Sequence, residues 1–111
     1  MIIANFKSNG SEQMIVRWVQ DFIANIDNNH TTLGIAPPYT YIEKLQRLLS
    51  DANQNNLKVG AQDVGVGSGA KTGSVSSSML ADLNCKFAII GHSERRTIFN
   101  ESNELIREKL K

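Results

Sequence analysis

Short apolar runs alternate with longer amphipathic stretches along this chain. The runs are IIANF at 2–6, TLGIA at 32–36, LKVGA at 57–61 and KFAII at 86–90. Each has strand length and stops where small or polar residues begin, which predicts four strands. Between the first two, Ile15, Trp18, Val19, Phe22, Ile23 and Ile26 recur at three- and four-residue steps. That spacing puts them on one face of a helix, with Trp18 as core packing. Thr40 and Glu43 have the spacing of a capping box, in which hydroxyl and carboxylate satisfy the free N–H groups of a helix start. Ile42, Leu45, Leu48 and Leu49 follow as the apolar stripe. A weaker helix is predicted over 77–83, and a last one from near Asn100 carrying Leu105, Ile106 and Leu110.

The order is therefore βαβαβαβα. Strand starts lie about 25–30 residues apart, close to the roughly 30 residues of a βαβ unit. Such alternation predicts an α/β fold with a parallel sheet and helices packed outside it. No linker or low-complexity segment divides residues 1–111, which read as one domain.

Composition narrows the function. The net charge is +1, and no basic run marks a nucleic-acid surface. No apolar stretch approaches the ~18 residues of a membrane span. The opening MIIANFKSN lacks the basic start and long apolar centre of a signal peptide. Cys85 is the lone cysteine and reads as a small core hydrophobe in a reducing compartment, which points to the cytoplasm. His30, His92 and Cys85 have no zinc-ligand spacing, so no metal is expected; His30, in DNNHTT, reads as a surface loop residue.

The loop GVGSGAKTGS at 65–74 comes close to a nucleotide-phosphate loop, with Gly65, Lys71 and Thr72 in register. Ala70 replaces the second glycine of that pattern, where a Cβ obstructs the inward-turned amides. The next strand ends in Gly91-His92, with no carboxylate there to hold magnesium. The plainer reading is a glycine-rich surface loop with Lys71 in water.

In parallel α/β folds, chemistry gathers at the carboxyl ends of strands. Those ends deliver Asn5, Phe6 and Lys7, then Pro37-Pro38, then Gln62 and Asp63, then Gly91, His92, Ser93 and Glu94. One rim thus collects a cation, an amide, an imidazole and a carboxylate. Lys7 suits an anionic substrate and His92 a carbonyl. Each also has a plainer explanation: a solvated lysine, a histidine satisfied by backbone, an asparagine capping a turn, and a surface pair of Glu94 with Arg95 or Arg96.

The segment AIIGHSERR at 88–96, continuing to Phe99 and Glu101, resembles the most characteristic stretch of the triosephosphate isomerase family. ANFKSN at 4–9 is similar to that family's Asn-aromatic-Lys signature, IAPPYTYI to its second strand and turn, and GAQDV followed by GAKTG to its third strand and long loop. The four segments occur in the family's order and span the chain, but match only the first half of a complete member. Phe6 stands where the family has Trp, Lys71 where it often has an aromatic, and Ser74 where it often has Glu.

The resemblance implies a (β/α)8 barrel, of which this chain would supply four βα units. It implies interconversion of dihydroxyacetone phosphate and glyceraldehyde 3-phosphate, a glycolytic and gluconeogenic step that uses no cofactor. Lys7 would neutralise the substrate's charge and the enediolate, with Asn5 and Phe6 beside it. Glu94 would support Lys7. His92 would polarise the carbonyl as a neutral imidazole held so by a helix N-terminus, a behaviour for which this family is itself the standard illustration. Thr72, Lys71 and Gly73 on the long loop, with Gln62 and Arg95, would form the interface of a homodimer. The family's glutamate base, lid and phosphate loops lie beyond the matched half. The 111-residue chain alone is therefore expected to be inactive, and to associate with itself or with a complementary carboxyl-terminal half-barrel. A non-catalytic association module is the competing reading.

Overall fold

A computed structural model describes residues 1–27 and 31–111. The predicted surface position of His30 lies outside the described residues. Strands β1 (Ile2–Asn5), β2 (Leu33–Ala36) and β3 (Leu57–Val59) form a parallel sheet in the order β1-β2-β3. Ile2 pairs with Leu33 and Leu33 with Leu57, so one row of side chains is continuous across the sheet. Helix α1 (Glu12–Asn25) connects β1 to β2, and α2 (Ile42–Asp51) connects β2 to β3. Three shorter helices follow: α3 (Ser77–Asp82), α4 (Ser93–Ile98) and α5 (Asn103–Leu110).

The fourth predicted strand is only partly realised. Residues 86–90 run parallel beside β3 but make one isolated bridge, Ala61 to Ala88. Three hydrogen bonds hold them: Lys86 N–H to the Val59 carbonyl, Ala61 N–H to Phe87, and Ile89 N–H to Ala61, each 2.9 Å. The run is bonded along one side, and the chain departs at Gly91. There a left-handed backbone (φ 69°) and an added Cβ's 3.1 Å approach to Ile106 favour glycine.

Ile15, Val19, Ile35, Ile42, Leu45, Leu49, Leu57 and Val59 form the core between the sheet and its helices. Full burial of such a side chain contributes about 1.5–3 kcal/mol. Trp18 stacks on Phe22 and meets Phe6 edge-on at 5.5 Å, as its place in the stripe predicts. Ile26 does not extend that helix: α1 stops at Asn25, and Ile26 is extended. Ile23 is exposed.

The capping box is a second correction. After Pro38 the chain enters a 3₁₀ turn at Tyr39–Tyr41, so Tyr41, not Thr40, precedes the first residue of α2, with no side-chain cap. The predicted 77–83 helix appears as α3, capped by Ser76. The last helix starts at Asn103, capped by Ser102, rather than near Asn100, where a left-handed backbone (φ 55°) breaks the chain. Before that break stands α4. It buries no residue, so it carries no apolar stripe that periodicity could find. Among the described residues, no helix is long and apolar enough to cross a membrane.

Candidate active site

Asn5 ends β1, and the other predicted rim residues lie just past a strand or the 86–90 run; the side chains of Asn5, Lys7, Gln62, Asp63, His92 and Glu94 meet in one cleft. A cleft of about 300 Å³ is lined by Asn5, Lys7, Tyr39, Gln62, Asp63, His92, Glu94 and Arg95, among others. Phe6 turns the other way, into the aromatic contact with Trp18.

Lys7 is built on a left-handed backbone, φ 54°. For a residue with a Cβ this costs about 1–2 kcal/mol, so its surroundings must hold it. Two hydrogen bonds do. Lys7 N–H donates to Asn5 Oδ1 at 2.9 Å, and the Lys7 carbonyl accepts from Gln62 Nε2 at 2.9 Å. The ammonium reaches Glu94 Oε1 at 2.8 Å. That hydrogen bond, with the Lys7 charge behind it, holds the Glu94 carboxyl below the usual carboxylate range, although burial opposes the shift.

His92 is the N-cap of α4. Its Nδ1 accepts the Glu94 N–H at 3.1 Å, which uses the lone pair of that nitrogen and leaves the ring proton on Nε2. Glu94 Oε2 stands 3.7 Å from Nδ1, too far to compete as a hydrogen bond. The imidazole is thus set to offer an N–H donor from Nε2 while Lys7 supplies positive charge in the same cleft. A carbonyl compound carrying an anionic group fits these two donors.

One wall of the cleft belongs to a feature that sequence reading missed. Arg95, Asp63, Lys109 and Glu101 form a closed ring of alternating charge. Arg95 Nε contacts Asp63 Oδ2 at 3.2 Å and hydrogen-bonds Glu101 Oε2. Lys109 Nζ contacts Asp63 Oδ1 at 2.7 Å and both Glu101 oxygens at 2.9 Å. Burial is the largest influence on the Glu101 carboxyl and pushes its pKa up, but the Lys109 and Arg95 hydrogen bonds with their charges outweigh it and leave it low. Tyr39 closes the assembly by donating to the Asp63 carbonyl at 2.7 Å. Burial, then the Asp63 charge, pushes its phenol up to about 12, which keeps it a donor. The available signal was Lys109, a cation three residues after buried Ile106 on the apolar stripe of α5.

The residues expected at a subunit interface divide into two groups. Lys71, Thr72 and Gly73 are exposed on the long loop. Gln62 and Arg95 hydrogen-bond groups of their own chain, and the Arg95 side chain keeps 31% exposure. The Lys71 ammonium folds back onto the Val66 carbonyl, and α3 begins at Ser77, well past Thr72. A phosphate loop leads straight from its Lys-Thr into a helix, so the nucleotide reading fails here. Among the described residues, no three metal-ligating side chains cluster.

Parallel strands whose carboxyl ends converge on a polar cleft place the chain among α/β proteins with their chemistry at one rim. A family model described as triosephosphate isomerase matches residues 1–111. The chain belongs to that family. The triosephosphate isomerase of Methylococcus capsulatus is 36% identical over 110 residues, covering 98% of this chain and 43% of the relative. That of Blochmanniella floridana is 39% identical over 111 residues, covering 97% and 42%. That of Shewanella woodyi is 36% identical over 115 residues, covering 98% and 44%. The chain thus spans less than half the length of these relatives.

Proposed function

We propose that residues 1–111 form the amino-terminal half of a (β/α)8 barrel that interconverts dihydroxyacetone phosphate and glyceraldehyde 3-phosphate in the cytoplasm. One observation carries the reading: Lys7 and His92, on separate strand ends, line one cleft. His92 donates from Nε2 to the substrate carbonyl oxygen. A base removes the proton on the adjacent carbon, and the electron pair moves into an enediolate. The Lys7 ammonium offsets the added negative charge. The hydroxyl proton of the deprotonated carbon passes to the former carbonyl oxygen, and reprotonation of the former carbonyl carbon leaves the aldehyde of the isomer. Asn5 holds the Lys7 backbone, and Glu94 holds its ammonium between turnovers. The sequence needs no metal or cofactor.

The base is the family's glutamate, outside the matched half. General-base catalysis contributes about 10²–10⁴-fold, so the 111 residues alone are inactive or nearly so. The decisive measurement is isomerisation by the polypeptide as its gene specifies it, with Lys7→Ala and His92→Gln variants. Removing an electrophilic donor typically costs about 10²–10³-fold in kcat, and His92→Gln is expected in that range. Unchanged activity in both variants refutes the reading. For the isolated 111 residues, turnover within about tenfold of an intact family member refutes the claim of inactivity.

The exposed sheet edge favours an associating module as the second reading. Ile2 is 63% exposed and Ile3 39%, and among the described residues β1 pairs with β2 alone. Open apolar edges template association, so the isolated chain self-associates or docks with a carboxyl-terminal half-barrel. In the complete protein, Lys71, Thr72 and Gly73 reach across a homodimer, where Arg95 braces the partner's loop. Sedimentation of the isolated chain distinguishes association from a monomer.

A further inference from the structure

We propose that Gln62 is a positioning residue for Lys7, holding the lysine in the backbone conformation that sends its ammonium into the cleft. The inference rests on the isomerase reading and adds a role within this chain to a residue otherwise expected at a subunit contact.

The geometry is specific. Gln62 follows β3 by three positions, and its side-chain Nε2 donates to two carbonyls, Lys7 at 2.9 Å and Ala36 at 2.8 Å. Both carbonyls sit just at or past the ends of neighbouring strands. One amide therefore ties the end of β3 to the turns leaving β1 and β2. An NH₂ group has two donors, and both are used.

Lys7 is where such a tie is needed. Its φ of 54° is a conformation that a residue with a Cβ leaves unless held. Asn5 fixes the N–H side of the residue at 2.9 Å and Gln62 fixes the carbonyl side. With the carbonyl released, the peptide following Lys7 is free to rotate toward an ordinary right-handed or extended φ. The Cα–Cβ bond then turns, and the ammonium leaves the position from which it meets Glu94 at 2.8 Å. Glycine would relieve the strain but has no ammonium, so a lysine here requires an external clamp.

The test compares Gln62→Met and Gln62→Glu in the polypeptide as its gene specifies it. Methionine matches the length and lacks the donors. Glutamate is isosteric and presents only acceptors toward two carbonyls, and it serves if the methionine variant does not fold. KM for dihydroxyacetone phosphate is expected to rise roughly tenfold, with a smaller fall in kcat, since a displaced ammonium weakens binding of the anion throughout the reaction. A merely structural role would lower the active fraction and leave KM unchanged. A crystal structure of either variant supplies a readout independent of activity, with Lys7 expected to leave the left-handed region. If both variants keep Lys7 left-handed and KM within twofold of the parent, the role of Gln62 is refuted while the isomerase reading stands. If Lys7→Ala itself leaves KM and kcat unchanged, the isomerase reading fails first.

Discussion

The Lys7 ammonium and the Glu94 carboxylate lie 2.8 Å apart across the mouth of the cleft, joining the end of β1 to the first turn of α4. Both side chains are about half exposed, so the pair orients more than it stabilises. Its consequence is a titration. The Lys7 hydrogen bond, first among the causes, depresses the Glu94 pKa from its ordinary 4.5. The pair's contribution is therefore present above that value and is lost as pH falls through the depressed one. In Lys7→Met, Glu94 is expected to titrate closer to 4.5. Carbon-detected NMR of the carboxyl checks this, and an unmoved midpoint shows that the lysine is not the cause.

The charge ring at the cleft wall bears more directly on stability. The Lys109 and Glu101 side chains are only 5% and 3% exposed. Lys109→Met leaves Asp63 and Glu101 sharing Arg95 alone. Removing one partner from a buried ion pair costs about 3–5 kcal/mol, and denaturant unfolding of the variant is expected to show a loss of that order.

Acid separates the ring's contribution from general destabilisation. Because the folded Glu101 pKa is depressed below 4.5, its stabilisation is complete above that value and fades as pH drops through the folded one. Glu101→Gln has already lost it. The parent's unfolding free energy should therefore fall more steeply below about pH 4.5 than the variant's. Parallel slopes would assign acid lability to other carboxylates.

What the sequence made legible was what local pattern encodes. The stripe through Ile15 and Val19 marked α1, and the apolar run at 32–36 marked β2, because burial leaves its pattern in the letters. Lys7 and His92 were legible as a pair because strand ends share a rim in parallel sheets. Helix α4 was not, since none of its residues is buried and its position depends on His92 as cap and on Arg95 reaching Asp63. The ring itself joins residues 46 apart through Lys109 and Asp63, a contact with no local signature. The Thr40–Glu43 box misled because Pro38 starts a 3₁₀ turn one step earlier, which shifts the helix start past the threonine.

Helix α5 carries Lys109 and Ile106, so its anchoring matters to the ring. Ser102 caps it, its Oγ accepting the Leu105 N–H at 3.2 Å. Ser102→Ala removes that acceptor and is expected to cost about 1 kcal/mol. Ser102→Asp restores an acceptor and should recover most of the loss. Chemical denaturation of the two variants decides it, and equal stability of the alanine variant and the parent would show that solvent satisfies the helix end.

Gly60 tests whether the 86–90 run is packed or merely adjacent. A Cβ added at Gly60 would lie 2.5 Å from the Phe87 ring, and one at Gly34 2.9 Å from the same side chain. Phe87 thus covers both glycines, Gly34 within β2 and Gly60 just past β3. Gly60→Ala forces the ring away, and overpacking of this kind costs about 1–3 kcal/mol. Because Ala61 donates to the Phe87 carbonyl at 2.9 Å, displacing the ring also strains the hydrogen bonds that hold the run beside β3. Hydrogen exchange at the Ala61 and Ile89 amides should accelerate in Gly60→Ala. In Gly60→Ala/Phe87→Leu, where the smaller side chain makes room, it should slow toward the parent rate. Exchange unaffected by the single substitution would mean that the run docks without Phe87.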